Sequence, residues 1–127
     1  MRVNDRSSPV PIYTTSGEWS ALLYQNNLFN TQGEWIGWVA ENGDVFDVDG
    51  YYVGWISEDR RVLRRRSAPG ATRRPPPPPP PEKVLPPPTI PLAPMMPELP
   101  HGVIDVLEEE PERLHTRDTG ELKEDMD

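Results

Sequence analysis

All ten aromatic residues of the 127-residue chain lie between Tyr13 and Trp55. Five of them recur at matched positions: Trp19, Trp35 and Tyr52 at one, Trp38 and Trp55 at another, where Leu22 stands first. A ring of aromatic faces can hold an apolar chain, or a cation by attraction to the π-electrons. Trp19, Trp35, Trp38, Trp55 and Tyr52 are therefore the candidate ligand-binding set. Core packing is the competing use, because a small domain needs its large side chains inside. A second group is basic: Arg60, Arg61, Arg64, Arg65 and Arg66 could meet an anionic surface, lipid headgroups in particular. Little else suggests chemistry. There is no Cys, and the two histidines, His101 and His115, lie far beyond the aromatic region. Glu18 and Glu34 each follow a glycine and read as exposed turn carboxylates. Asp44, Asp47 and Asp49 flank one turn without a recognisable calcium loop, so they read as turn formers. The expectation is a protein without catalytic residues, metal or cofactor, and not an enzyme.

The elements that position the aromatics repeat. Gly17, Gly33 and Gly50 are 16 and 17 residues apart, and apolar pairs start at Ile12, Leu28, Val45 and Val62. A fixed period marks stacked supersecondary units. Each unit opens with a short apolar strand. A four-residue turn follows, led by Asn30 or Asp47 and closed by Gly33 or Gly50, which is type I turn chemistry. Thr14 to Gly17 is a weaker copy. Second strands follow at Trp19–Leu23, Trp35–Val39 and Tyr52–Ile56, and further turns at Asn26-Asn27, Asn42-Gly43 and Glu58-Asp59. The short spacing between turns and the β-branched and aromatic content argue against helix.

Strict alternation puts Trp19, Ala21 and Leu23 on one face with Trp35, Gly37, Val39, Tyr52, Gly54 and Ile56. Ile36, Trp38, Val53 and Trp55 then fall on the other. Both faces are apolar, so the sheet should curl on itself or meet another layer. Small residues at Ala21, Gly37 and Gly54 mark a place where backbones converge.

The cores Gly33-Glu34-Trp35-Ile36-Gly37-Trp38 and Gly50-Tyr51-Tyr52-Val53-Gly54-Trp55 resemble the 4-fold beta flower family over about residues 11–66. The resemblance implies an all-β fold: a pseudo-symmetric antiparallel meander closing into a shallow, barrel-like ring of hairpins. The resemblance is to a family with no established enzymatic activity, in which proline-rich tails are common. Two departures predict imperfect symmetry. Ala21-Leu22 replaces Gly-Trp in the first unit, and Arg64-Arg65-Arg66-Ser67 lacks the turn glycine in the fourth.

The chain beyond the repeats differs in composition. Of its 18 prolines, 14 lie between Pro75 and Pro100. The formal charge of -8 arises entirely in residues 75–127, where four basic residues face twelve acidic ones. Such a segment buries too little apolar surface to offset its ordering entropy. The expected organisation is a flexible lead-in over residues 1–10, a β-flower domain over 11–67 and a disordered proline-rich, acidic tail over 68–127. Truncation after Gly70 should then leave the domain folded. Pro75–Pro81 should form polyproline II and offer a protein-binding tract. Val103–Leu107 is a β-branched island with three open fates: closing its own ring as an eighth strand, adding to a partner protein, or neither, with partner binding preferred. The acidic balance argues against nucleic acid. No apolar run is long enough for a membrane span or a signal peptide, which suggests a cytoplasmic protein, with peripheral contact to anionic lipid as the alternative. The functional expectation is an adaptor or binding protein with an aromatic-rich β domain and an interaction tail; peripheral membrane or small apolar-ligand binding is the rival reading.

Overall fold

The computed structural model of the chain describes residues 8–67 and 80–117. Residues 1–7, the opening of the proline tract at 68–79 and the last ten residues lie outside the described set. Among the described residues the chain forms one eight-stranded antiparallel sheet in strict sequential order. The strands are β1 (Val10–Tyr13), β2 (Trp19–Tyr24), β3 (Asn27–Phe29), β4 (Trp35–Val39), β5 (Asp44–Asp47), β6 (Tyr52–Ile56), β7 (Val62–Arg65) and β8 (Val103–Asp105). A one-turn helix α1 (Val106–Glu109) and a 3-10 turn (Pro111–Arg113) follow. The sheet curls into a shallow half-barrel whose petals are the pairs β1–β2, β3–β4, β5–β6 and β7–β8.

One turn design builds the petal tips. Gly17, Gly33 and Gly50 donate back to the carbonyls of Thr14, Asn30 and Asp47 at 2.9–3.0 Å. Each of these glycines has φ between 85° and 94°, a left-handed conformation that a Cβ disfavours. The lead side chain caps the turn. Asn30 Oδ1 accepts from the Gln32 and Glu34 amides, and Asp47 Oδ1 from those of Asp49 and Tyr51. The same backbone design recurs between petals. Gly43 closes Ala40–Asp44, so Asn42-Gly43 sits in a longer loop than a two-residue hairpin. Arg60 closes Ser57–Arg61 with φ 69°, a non-glycine residue in a glycine position. The tight two-residue hairpin falls at Gln25-Asn26, with φ 52° and 64°, one residue earlier than the Asn26-Asn27 reading.

Strict alternation fails at one place in each of the first three petals. Trp35 and Gly37 pair with the consecutive residues Phe29 and Leu28, which leaves Ile36 as the extra residue of a β-bulge. Ser20 and Val53 occupy the same bulge position in their petals. A bulge shifts the side-chain phase by one. Ile36 and Val53 accordingly join the interior with Ala21 and Val39, and do not follow Trp38 and Trp55.

The interior is aliphatic. Ile12, Leu28, Val45 and Val62, the first member of each apolar pair, are fully buried together. Full burial of each such side chain contributes about 1.5–3 kcal/mol. Ile104, Val106, Leu107 and Leu114 from the C-terminal half complete the same cluster. A Cβ on Gly37 would come within 2.5 Å of the Phe46 carbonyl oxygen and 3.0 Å of Leu114 Cδ2. At Gly54 it would overlap the Leu63 carbonyl outright. A close backbone approach is thus present at Gly37 and at Gly54, each against the neighbouring strand, and Leu114 packs on Gly37.

Two expectations about the tail are corrected here. Val103–Asp105 pairs with β7 in the register Leu63↔Asp105, Arg64↔Ile104 and Arg65↔Val103, so the island supplies the eighth strand of its own sheet. The folded unit therefore reaches past residue 67, and truncation after Gly70 would remove both a strand and four core side chains. At its N-terminal end the sheet begins at Val10.

Candidate binding surface

Residues 80–102 contain neither helix nor strand, yet they run against the ring as a belt. Proline fixes φ and has no N–H, so this segment stays extended and offers carbonyls as its polar groups. The ring uses them. Tyr13 Oη donates to the Pro91 carbonyl at 2.7 Å, and Arg61 Nη1 to that of Pro97 at 3.2 Å. The Val84 amide donates to the Gly33 carbonyl at 3.0 Å. A side chain on Gly33 would overlap the Val84 backbone, so the tip glycine also makes room for the belt. Ala93 lies beside Gly17. The belt closes where the Arg66 amide donates to Gly102, whose φ of 88° matches that of the other tip glycines.

Beneath the belt lies a second apolar cluster of Leu22, Phe29, Trp35 and Val48, flanked by Trp19, Tyr24 and Trp38. Val84 and Ile90 of the belt pack on it. The candidate aromatics therefore divide. Trp35 is buried and donates through Nε1 to Asn27 Oδ1; Trp19 is half-buried and donates to the Ala21 carbonyl. Trp38 stacks on Phe46 with ring centroids 4.6 Å apart, and Tyr52 meets the same Phe46 edge-on. The Trp38 Nε1 is buried without a hydrogen-bond partner among the described residues. Trp55 and Tyr52 stand outside the belt-covered cluster. The five do not converge on one open ring: the inside of the curl is aliphatic and filled, and part of the aromatic set is roofed by the chain itself. Clefts of about 260 and 210 Å³ remain between belt and ring, one beside Tyr13, Arg60 and Leu92, the other beside Tyr24, Phe29 and Lys83.

The arginines also separate. Arg61 is buried and pairs with Asp59 at 2.6 Å; Arg64 is buried and reaches both oxygens of Glu110. These guanidiniums hold Asp59 and Glu110 below their ordinary carboxylate values, chiefly through the hydrogen bonds they donate. Arg60, Arg65 and Arg66 are exposed, Arg66 with Glu109 3.7 Å away. Two of the five charges are thus spent inside the fold.

The ends of the sheet meet through side chains. Asp105 is 2 % exposed, and its Oδ2 accepts from both the amide and the hydroxyl of Thr15 at 2.6 Å. Arg61 Nη1 reaches the same hydroxyl at 3.0 Å. Asp105 pairs with Leu63 as Trp19 pairs with Tyr13, Trp35 with Phe29 and Tyr52 with Phe46. Petal four therefore carries a carboxylate where the others carry an aromatic, and that carboxylate ties β8 to the β1–β2 turn. Sequence reading missed this residue because it lies outside the repeat.

Among the described residues no helix is long and apolar enough to cross a membrane. No curated protein and no solved structure matches the chain. A family model of the 4-fold beta flower protein matches residues 3–102, covering seven strands and the belt and ending just before β8. The chain belongs to the 4-fold beta flower family.

Proposed function

We propose that this is a non-enzymatic binding protein, an adaptor whose β-flower holds a proline-rich belt in extended form for a partner protein to read. One observation carries the reading. Leu85, Leu92 and Met95 are 88 %, 95 % and 96 % exposed, while their neighbours Val84, Pro91 and Ala93 face or bond the ring. Large apolar side chains held outward on an anchored backbone suit a groove with apolar pockets. Anchoring also lowers the ordering entropy that a free peptide would lose on binding. The partner surface fits at Pro80 onward, since Val103–Leu107 is engaged in its own sheet and helix. The lipid reading has less support, because Arg61 and Arg64 are committed to internal ion pairs.

The test uses the full chain and a variant with Leu85→Asp, Leu92→Asp and Met95→Asp. Both are immobilised and exposed to extract of the native cells. The reading expects a protein retained by the parent, displaced by a synthetic peptide of residues 82–97 and not retained by the variant, whose melting temperature should be unchanged. Identical retention by parent and variant would overturn it.

A further inference from the structure

Asp47 does more than its turn requires. Thr14 and Asn30 cap the equivalent turns with neutral oxygens, so the capping role needs no charge. Yet Asp47, at 8 % exposure, is a buried carboxylate, and none of the described ion pairs involves it or Asp49. Its Oδ1 is committed to the Asp49 and Tyr51 amides, which leaves Oδ2 for another partner. His115 arrives from the segment after the 3-10 turn, and the ligand atoms of Asp47, Asp49 and His115 lie within 4.8 Å of one another. His115 Nδ1 lies 3.0 Å from the Thr116 carbonyl, which can only accept, so the tautomer that donates there is the one that offers Nε2 as a ligand. Fixing the tautomer through the second ring nitrogen is how metal-binding histidines are usually oriented.

We propose that Asp47, Asp49 and His115 bind a divalent first-row transition-metal ion, of which Zn²⁺ is the type, and that the ion fastens the C-terminal segment to the third petal. One imidazole nitrogen with two carboxylate oxygens suits such an ion better than Ca²⁺ or Mg²⁺, which take oxygen sets. Ligand atoms about 2 Å from one ion lie at most about 4 Å apart, so the group must close slightly. Asp49 is exposed and free to swing inward. Three protein ligands leave a coordination position for water. The sequence hid this site because two ligands lie in a turn and the third lies beyond the belt.

The probe is ZnCl₂ alone, titrated calorimetrically into the full chain in chelator-free buffer, with melting followed in parallel. One ion per chain, with a rise in melting temperature, is expected. His115→Ala and Asp49→Asn should each weaken binding about tenfold or more, as even outer-shell changes cost 10–100-fold. Both should melt like the metal-free parent. His101→Ala should bind as the parent does, since His101 is exposed elsewhere. No saturable binding by the parent, or parent-like binding by His115→Ala, would overturn the site. Tighter binding of CaCl₂ than of ZnCl₂ would overturn the assignment of the ion.

Discussion

Petals one to three and petal four reach the same pairing by different means. In the first three, both strands and the turn lie within one continuous stretch, with a capping side chain and a left-handed glycine at fixed spacing. In the fourth, β7 and β8 are separated by residues 66–102, and most of the described part of that excursion is the belt. The local petals form by closing loops of a few residues, which is entropically inexpensive. Petal four must close a long loop. Its stability is borrowed from core burial of Ile104, from the Asp105–Thr15 bonds and from the contacts that seat the belt on the way. Symmetry of architecture therefore does not require symmetry of sequence: Asp105 and Gly102 serve where an aromatic and a tip glycine serve elsewhere.

The sharpest way to break this comparison is to remove a core side chain from the distant strand. Ile104→Ala should cost about 2–5 kcal/mol, the range for a large aliphatic in a packed interior, measured by urea unfolding. A change near zero would place Val103–Asp105 outside the cooperative unit. Gly54→Val comes next, at about 1–3 kcal/mol, because a Cβ there overlaps the Leu63 carbonyl of the neighbouring strand. It tests the petal-three to petal-four contact from the local side, and a melting temperature equal to the parent's would refute the close approach.

Acidification probes the polar ties. Asp59 and Glu110 are held below their ordinary values of 3.8 and 4.5 by Arg61 and Arg64. A depressed carboxylate binds fewer protons folded than unfolded, so its contribution is full above the unfolded value and is lost as pH falls through the folded one. Stability should therefore fall on acidification below about pH 4.5. The Arg61–Asp59 pair lies within the turn before β7, whereas Arg64–Glu110 joins β7 to the segment after α1, so Arg64→Met should flatten part of this slope; an unchanged slope would show that Glu110 does not report on petal four. The smallest effect is Arg60→Gly. Arg60 holds φ 69° where the matching turns have glycine, so relief of left-handed strain should raise stability by up to about 1 kcal/mol. A loss would mean that the Arg60 side chain contributes packing.

These contrasts also explain what could be read in advance. Period, turn chemistry and the close approach at Gly37 and Gly54 are local properties, and they were legible. The bulge at Ile36 and Val53 was not, because an inserted residue changes facing without changing composition. Val103–Asp105 was recognisable as a strand, but nothing in its residues distinguishes its own sheet edge from another protein's. The belt was least legible. Proline-rich composition argues for disorder, whereas Tyr13, Gly33 and Arg61 supply the specific donors, acceptor and space that hold it. For the same reason the aromatic set was identified by position and misjudged in surroundings, since its cover comes from Val84 and Ile90.

The central claim is that the C-terminal half completes the ring and holds the belt in place. Amide hydrogen exchange on the isolated full-length protein tests it most directly. Amides of β7 and β8 that pair across petal four, together with the Val84 amide bonded to Gly33, should exchange slowly. Those of β8 should be protected to a degree comparable with β7. Fast exchange throughout residues 84–105, with β1–β6 still protected, would contradict the account.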